Sequence, residues 1–260
     1  MSRPRFCLCE RGPSGPRSSS PFLLWGRSAC EDARVNTETW NRIATHATGQ
    51  FPTDVPVYGP DGPTERELRL LGDVKGRRVL DLGCGTGQAA ITFAKQGAIV
   101  IAVDAAAEQL ARAREHAERE EAKVEWRQGD LADLAFLRAE SIDVAFSSFA
   151  VAEVDDVARL FRQVQRVLKP NGPFVFSYEH PISLCIGEDG RAVYSYFESG
   201  PVAVEQHGET LTLFARSIGE VFTELGRAGF RVDTIVEPRP GITGALLPTT
   251  IVWRARKEGA

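Results

Sequence analysis

The sequence predicts a doubly wound α/β fold built on a mostly parallel, seven-stranded sheet. Apolar, β-type runs alternate with helix-favouring stretches between residues 78 and 178, and this alternation is typical of a parallel sheet with helices on both faces. The first of these runs ends in a glycine-rich turn that leads directly into a helix. A further helix and two strand-like runs follow towards residue 260 and bring the predicted strands to seven.

The bounds of these elements follow from the apolar periodicity and from the helix-breaking residues. The predicted helices cover residues 88–95, 107–119, 157–168 and 217–228. The sequence Lys-Pro-Asn-Gly at residues 169–172 ends the third helix and turns the chain into the fifth strand. The predicted strands cover residues 78–82, 99–104, 124–128, 142–147, 173–178, 231–236 and 250–254.

Residues 35–75 are predicted to form a helical cap in front of this core. Apolar side chains repeat at helical spacing over residues 37–47, which indicates an amphipathic helix. A second, short helix is predicted over residues 64–71, because Thr64 is followed three residues later by Glu67 in the pattern of a capping box. These N-terminal helices are separate from the alternating core that follows them.

The chain is therefore expected to consist of three parts: a leader over residues 1–34, the cap, and a core domain over residues 76–260 with a lid insertion at about residues 181–216. The leader has no sustained periodicity and is rich in Arg, Pro, Gly and Ser, so we expect it to be disordered. Two interpretations of the leader stay open: a basic tail with a targeting role, or upstream sequence included by an early start.

The turn after the first strand indicates a ligand with an adenosine-like part. Gly83, Gly85 and Gly87 allow the backbone to turn sharply and to approach a ligand closely. Asp104 ends the second strand about 20 residues further on, where a ribose-binding acid is expected. Gln88 stands where a dinucleotide site needs a small residue, and no Gly-Lys-Ser/Thr follows. This combination suits a nucleoside that carries no phosphate.

At this point the chain resembles the class I S-adenosylmethionine-dependent methyltransferases. Five segments occur in the order and at the spacing of that family: VLDLGCGTG, IAVDAAAEQLARARE, VEWRQGDLADL, SIDVAFSSFAVAEV and LFRQVQRVLKPNGPFVFSYEHP. The resemblance covers residues 79–181. It implies the Rossmann-like methyltransferase fold, S-adenosyl-L-methionine as the cofactor and S-adenosyl-L-homocysteine as its product.

The resemblance also assigns the cofactor contacts. Asp104 is expected to accept both ribose hydroxyls, because a carboxylate matches a vicinal diol. Asp130 is expected to bind the adenine amino group and the backbone N–H of Leu131 a ring nitrogen, while Asp81 orients the loop or the cofactor's amine. The other predicted contacts come from the glycine loop and from the ends of two strands: Gly83, Gly85, Gly87, Ala105 and Ser147.

His180 is the predicted catalytic residue. Methyl transfer needs a general base only where the acceptor atom is protonated, as in a phenol or an alcohol. His180 ends the fifth strand at the edge of the sheet where ligands bind, and its pKa is naturally near neutrality. The alternative is a strand-end histidine that positions the loop after it.

The acceptor is expected to bind between the lid and the N-terminal helices. Five side chains are candidates for this contact, and the alternative for each is a packing role: Tyr58, Phe149, Tyr194, Tyr196 and His207. No sequence like Asn-Pro-Pro-Tyr follows the fourth strand, where residues 147–150 read Ser-Ser-Phe-Ala instead. This difference argues against methylation of a planar amide or nucleobase nitrogen.

Composition favours a small-molecule acceptor. The net charge is −4 and no basic stripe marks a nucleic-acid surface. No apolar run approaches the roughly 18–20 residues that span a bilayer, and the five cysteines have no metal-site or disulfide spacing, so we predict a cytoplasmic protein without a metal. Tailoring of a bacterial secondary metabolite is the expected role by analogy. A non-methylating scaffold, for example for a cyclisation, and a protein or RNA methyltransferase are the alternatives, and the sequence does not predict the oligomeric state.

Overall fold

The computed structural model describes residues 35–46, 53–60, 62–187, 190–206, 208–240 and 246–259. The predicted leader over residues 1–34 and the candidate His207 lie outside these described residues. Within them, no helix has the length and apolar character needed to cross a membrane.

Seven strands form one sheet, and a separate pair of strands forms a hairpin. The sheet order is β3-β2-β1-β4-β5-β9-β8, where the first five are parallel and β9 runs antiparallel to both of its neighbours. This topology confirms the predicted doubly wound, mostly parallel sheet. The strands are β1 Arg78–Leu82, β2 Ile99–Asp104, β3 Val124–Gln128, β4 Val144–Ser148, β5 Pro173–Glu179, β6 Gly200–Gln206, β7 Glu209–Ala215, β8 Phe230–Val236 and β9 Thr250–Lys257.

Helices cover both faces of the sheet because alternate strand residues point to opposite sides. Leu160 and Phe161 of α5 belong to one buried cluster with the β5 residues Phe174 and Phe176, and Phe93 of α3 belongs to the cluster on the other face. The helices are α1 Val35–His46, α2 Glu65–Leu68, α3 Gln88–Lys95, α4 Ala107–Arg119, α5 Val157–Val167, α6 Pro181–Leu184 and α7 Ile218–Arg227.

The order of the strands fixes where a ligand can bind. The chain passes from β1 outwards to β3 on one side and returns to β4 on the other side of β1. Crevices in doubly wound sheets open at the carboxyl ends of the strands on either side of such a reversal. The glycine loop after β1 and the turn after β4, a 3-10 turn over Val151–Glu153, both lie at this point.

The predicted lid differs most from the structure. The sequence analysis predicts no strands within the lid insertion, but β6 and β7, each seven residues long, form an antiparallel hairpin there. Its inner face carries Val204 and Leu213, which belong to the main core cluster, and Leu211, which is also buried. These residues alternate with polar ones, which is the pattern of a strand with one buried face. The second predicted cap helix is also shorter than expected, because Arg69 adopts a left-handed conformation and ends α2 after Leu68.

Candidate functional site

A cavity of about 1100 Å³ opens at the carboxyl ends of the parallel strands. Its floor is formed by the glycine loop and by the turns that follow β2, β3 and β4. Helix α1 and the β6–β7 hairpin cover it, and we call these two elements the roof. The roof is held together by the side chain of Asn36, which donates to the Thr212 carbonyl at 2.8 Å and accepts from the Thr212 N–H at 2.9 Å. The ion pair of Arg42 with Glu209 adds a second link at 2.9 Å.

The glycine loop meets the cavity at Gly83 and Gly85. A Cβ atom on Gly83, which has φ +70°, would lie 2.2 Å from the Cβ of Ala150, so the loop and the turn after β4 approach each other closely. Gly87 does not line the cavity, contrary to its predicted contact with the ligand. A Cβ atom there would lie 2.7 Å from the ring of Trp126, and the glycine is required for packing.

Asp104 links the end of β2 to the glycine loop. One carboxylate oxygen accepts from the Gly85 N–H at 2.8 Å and the other from the Ala106 N–H at 2.9 Å. Burial nevertheless raises the pKa of Asp104, because desolvation of the charge outweighs these backbone hydrogen bonds. Each oxygen keeps a second lone pair, and the residue lines the cavity together with Ala105. A diol can therefore still be bound here.

Asp130 and Leu131 line the cavity beyond β3, next to Asp104 along the sheet edge. The Asp130 carboxylate accepts from the Ala132 N–H at 2.8 Å, which fixes the turn after the strand. The two residues thus stand where the sequence predicted them, on the side of the cavity opposite to β5.

Asp81 is the most deeply buried acid of the cavity. It is 2% exposed, and its Oδ2 atom has no hydrogen-bond partner among the described residues. Burial, with a smaller contribution from the charge of Asp104, raises the pKa of Asp81 from 3.8 to about 7. A buried acceptor without a donor is costly, so a cationic or N–H-bearing ligand group is the expected partner of this oxygen.

We expect the ligand-free protein to lose stability as the pH rises from about 5 to about 8. The folded state keeps protons that the unfolded chain has lost, because folding raises the pKa of Asp81 to about 7, of Glu179 to about 7 and of Glu153 to about 8. The free energy of unfolding therefore falls through this interval. Thermal melts at several pH values measure how steeply the stability falls with pH, and we expect a smaller fall in Asp81→Asn. A melting temperature that does not change between these pH values would contradict the raised pKa values.

Ser147 differs from its prediction as a cofactor contact. Its side chain is fully buried and donates to the Leu82 carbonyl at 2.8 Å, so it links β4 to β1. The cavity is lined instead by the next residue, Ser148, and by Phe149. The physical reason is the alternation of side chains along the strand, which turns Ser147 away from the cavity. Phe149 lines the cavity, and its contact with the acceptor stays a prediction.

His180 does not line the cavity and is 4% exposed. Its Nδ1 atom accepts from the Ile182 N–H at 3.1 Å and caps α6, and its Nε2 atom lies 2.7 Å from the Glu237 carboxylate. Burial outweighs Glu237 and lowers the pKa of His180, so the ring is neutral near pH 7 and donates its one proton to Glu237. No lone pair remains to accept a substrate proton. This geometry contradicts the predicted general base and agrees with the alternative, a histidine that positions the following loop.

The three tyrosines predicted to contact the acceptor also lie outside the cavity lining. Tyr58 is fully buried against Phe146, and its hydroxyl donates to Glu65. The Tyr196 hydroxyl accepts from the Ile218 N–H at 3.1 Å and thereby holds the start of α7. Tyr194 packs against the core beneath the hairpin. In each case the packing alternative applies.

Several acids that the sequence analysis did not select also line the cavity, and Glu179 and Glu153 are two of them. Glu179 is the last residue of β5, and its Oε2 atom is buried without a hydrogen-bond partner among the described residues. Burial raises the pKa of Glu179 from 4.5 to about 7. Glu153 ends the 3-10 turn after β4 and accepts from Trp40 Nε1 at 2.7 Å. Its pKa is raised to about 8, mainly by burial.

At least one acid that lines the cavity lies at or after the carboxyl end of each of the five parallel strands. We consider one acid for each strand, in the order of the sheet Asp130, Asp104, Asp81, Glu153 and Glu179. We call them the carboxylate row. Because neighbouring strands lie about 4.8 Å apart, the row extends over roughly 19 Å. A ligand laid along it would meet carboxylates over its whole length.

Comparisons with known proteins agree on one family. Residues 80–176 match the family described as "Methyltransferase domain". The crystal structure of an S-adenosylmethionine-dependent methyltransferase from Mesorhizobium loti is 32% identical, and the match covers 74% of this chain and 96% of that one with a TM-score of 0.61. A second such structure, from Listeria monocytogenes, is 26% identical, with coverage of 75% and 98% and a TM-score of 0.64.

One curated relative has a name that states both its reaction and its biosynthetic pathway. The ubiquinone biosynthesis O-methyltransferase of Azorhizobium caulinodans is 34% identical over 111 residues, which are 43% of this chain and 44% of that protein. The match thus spans less than half of that relative.

Proposed function

Because this chain belongs to the class I S-adenosylmethionine-dependent methyltransferases and uses S-adenosylmethionine as its cofactor, we propose that it methylates a hydroxyl oxygen of a small molecule. The observation that carries the proposal is the roof. Helix α1 and the hairpin line one wall of the cavity and are tied to each other through Asn36 and Arg42. A cavity of about 1100 Å³ under such a cover holds the cofactor and a compact acceptor, whereas a folded macromolecule needs an open groove.

The cavity residues fit the cofactor group by group. Asp130 and Leu131 suit the adenine, and Asp104 suits the ribose diol. The orphaned Oδ2 atom of Asp81 suits the positively charged α-amine, and the backbone at Gly83 and Gly85 lines the cavity beside it, where the amino acid end would bind. The cofactor supplies a methyl group on a positively charged sulfur, which makes the methyl carbon an electrophile.

Glu179 is the residue that we assign to the acceptor's proton. It stands at the end of the row beyond Glu153, on the side away from the residues that suit the adenine and the ribose. Bound cofactor would supply the methyl group to the acceptor oxygen and keep the electron pair of the broken carbon–sulfur bond on its sulfur, and Glu179 would take the proton that the hydroxyl releases. A carboxylate with a pKa of about 7 is well matched to this transfer near neutral pH. The protein otherwise acts by alignment, since an in-line displacement requires the reacting atoms about 3 Å apart.

Several features support hydroxyl acceptors of this kind. The Azorhizobium relative is named as an O-methyltransferase. The acceptor side carries Glu153 and Glu179 and the aromatic rings of Trp40, Phe149 and Phe214, a lining that favours neutral aromatic molecules over anions.

Among the described cysteines, Cys84 and Cys185 are buried free thiols, which supports a reducing compartment such as the cytoplasm. Modification of a secondary metabolite remains part of the proposal.

An acceptor screen tests the function. The purified chain is incubated with S-adenosylmethionine and separate pools of phenols, catechols, aliphatic alcohols, amines and carboxylic acids, and S-adenosylhomocysteine is measured by mass spectrometry. We expect product formation with hydroxyl-bearing aromatic molecules. Product with only protein or RNA substrates would contradict the small-molecule proposal. Cofactor that binds but is never consumed, while a pool member is converted, would indicate a non-methylating reaction.

A further inference from the structure

Glu153 is the one member of the carboxylate row that is tied to the roof. Its Oε2 atom accepts from Trp40 Nε1 at 2.7 Å and from Asn36 Nδ2 at 2.8 Å, both on α1. Its Oε1 atom takes part in neither bond, and the side chain contributes to the cavity wall. The carboxylate therefore has one oxygen engaged by the roof and a second one left for a ligand.

The charges around Glu153 leave it without a counter-ion. Glu179 on β5 and Asp104 on β2 add to the burial that raises its pKa, while the donors of Trp40 and Asn36 lower it. On β7 and α1, Glu209 is paired with Arg42. After β7, Arg216 donates to the backbone carbonyls of Val154 and Asp155. In the described ranges of the chain, no cation lies within ion-pair distance of Glu153.

The position of Glu153 in the row identifies its ligand. The three strands before it, β3, β2 and β1, present the residues that suit the adenine, the ribose and the amino acid end. The next strand is β4, and Glu153 ends the turn that follows it. The sulfur of the cofactor joins the ribose to the amino acid chain, so a cofactor held by these residues would carry its sulfonium near the ends of β2 and β1, and β4 is the next strand in the sheet. A carboxylate without a counter-ion would then lie near the permanent positive charge of the cofactor.

We propose that Glu153 faces the sulfonium and selects the cationic cofactor over its neutral product, an inference that rests on the proposed function. After methyl transfer the sulfur is uncharged, and Glu153 again lacks a counter-ion. The product then loses the interaction that distinguished the cofactor, which favours exchange of product for cofactor. Because Glu153 also accepts from Trp40 and Asn36, its ionisation strengthens the bonds that hold α1 over the cavity, since charge-assisted hydrogen bonds are stronger than neutral ones.

The test compares two ligands and needs no acceptor. Titration calorimetry measures binding of S-adenosylmethionine and of S-adenosylhomocysteine to the wild-type chain and to Glu153→Gln. The amide oxygen of glutamine can still accept from Trp40 and Asn36, so the substitution removes the charge and keeps the link to the roof. We expect the affinity for S-adenosylmethionine to fall about tenfold or more, the scale of a charge-assisted interaction, and the affinity for S-adenosylhomocysteine to change by less than about twofold.

Proton release provides a second readout that a purely structural role would not change. Near pH 7 Glu153 is largely protonated in the ligand-free protein, because its pKa is about 8. A cation that binds beside it displaces that proton, whereas the neutral product does not. Calorimetry in buffers of different ionisation enthalpy should therefore show more proton release for the cofactor than for the product, and Glu153→Gln should abolish the difference.

Two control variants separate the possible results. Glu205→Gln makes the same change in net charge on β6, away from the cavity lining, and should leave both affinities unchanged. Glu179→Gln tests the neighbouring carboxylate. Equal weakening of both ligands by Glu153→Gln would overturn the inference, because it would show a structural role only. The inference would also be overturned if Glu179→Gln lost the preference for S-adenosylmethionine over S-adenosylhomocysteine while Glu153→Gln kept it. A wild-type chain that binds neither ligand would contradict the proposed function itself and the inference with it.

Discussion

Replacing Asp104 by alanine is expected to weaken S-adenosylhomocysteine binding by about 1.5–3 kcal/mol, the contribution of hydrogen bonds to a charged group. In the structure the Asp104 carboxylate also accepts from the backbone N–H groups of Gly85 and Ala106. The variant would therefore lose the carboxylate that is proposed to bind the ribose, and it would also loosen the glycine loop. The product is the appropriate ligand for this measurement, because it cannot be turned over and its sulfur carries no charge.

Two further variants separate these contributions. Asp104→Asn keeps one acceptor for the backbone but removes the charge, so we expect an affinity between those of the wild-type chain and Asp104→Ala. Asp133→Ala removes an exposed acid beyond β3 that does not line the cavity, and should bind like the wild-type chain. Unchanged calorimetric affinity in Asp104→Ala would remove this residue from the cofactor site.

The sequence was most informative where the relevant contacts are local. The glycine loop and the start of α3 are consecutive in the chain, and the hydrogen bond from Gly85 to Asp104 joins two adjacent strands. Apolar runs that are buried on both faces of a parallel sheet are also easily recognised, because they are almost continuously hydrophobic. The predicted seven-stranded sheet is therefore confirmed: β1, β2 and β3 have the predicted bounds, and the ends of the other strands differ by at most three residues.

The roles of His180 and Glu179 could not be assigned from the sequence. The two residues are neighbours, and side chains alternate along a strand, so only one of them can face the cavity. Which one does so depends on partners that are distant in the chain: Glu179 pairs with Thr250 on β9, and His180 contacts Glu237. Histidine was preferred for its ordinary pKa near neutrality, but burial raises the pKa of the glutamate and lowers that of the histidine.

The roof was missed for the same physical reason. Asn36 and Thr212 are 176 positions apart in the sequence, yet they exchange two hydrogen bonds. Glu153 and Trp40 are 113 positions apart. An acid that follows the fourth strand has no local pattern that distinguishes it from a solvated surface residue. Its importance becomes visible only when the fold places it between Asp81 and Glu179.

Replacing Glu179 by glutamine is expected to lower the turnover number about 10²–10⁴-fold, which is the usual contribution of a general base. The experiment uses a hydroxyl acceptor identified in the screen. Affinity for S-adenosylhomocysteine should be nearly unchanged, because the groups that suit the cofactor lie on β1, β2 and β3. Glutamine has a similar shape and can still accept a hydrogen bond, but it cannot take a proton.

The pH dependence distinguishes proton transfer from positioning. Wild-type turnover should rise with pH through about 7, where the Glu179 carboxyl becomes ionised. In Glu179→Gln this rise should be absent, and activity should return only at higher pH as the acceptor ionises without assistance. His180→Ala is the matched comparison on the next residue: its nitrogens contact Ile182 and Glu237, so we expect a smaller loss that does not depend on pH. If turnover fell more in His180→Ala than in Glu179→Gln, and the fall depended on pH, the catalytic role would belong to the histidine. Only a group that exchanges a proton with the acceptor can change the shape of the pH profile of turnover.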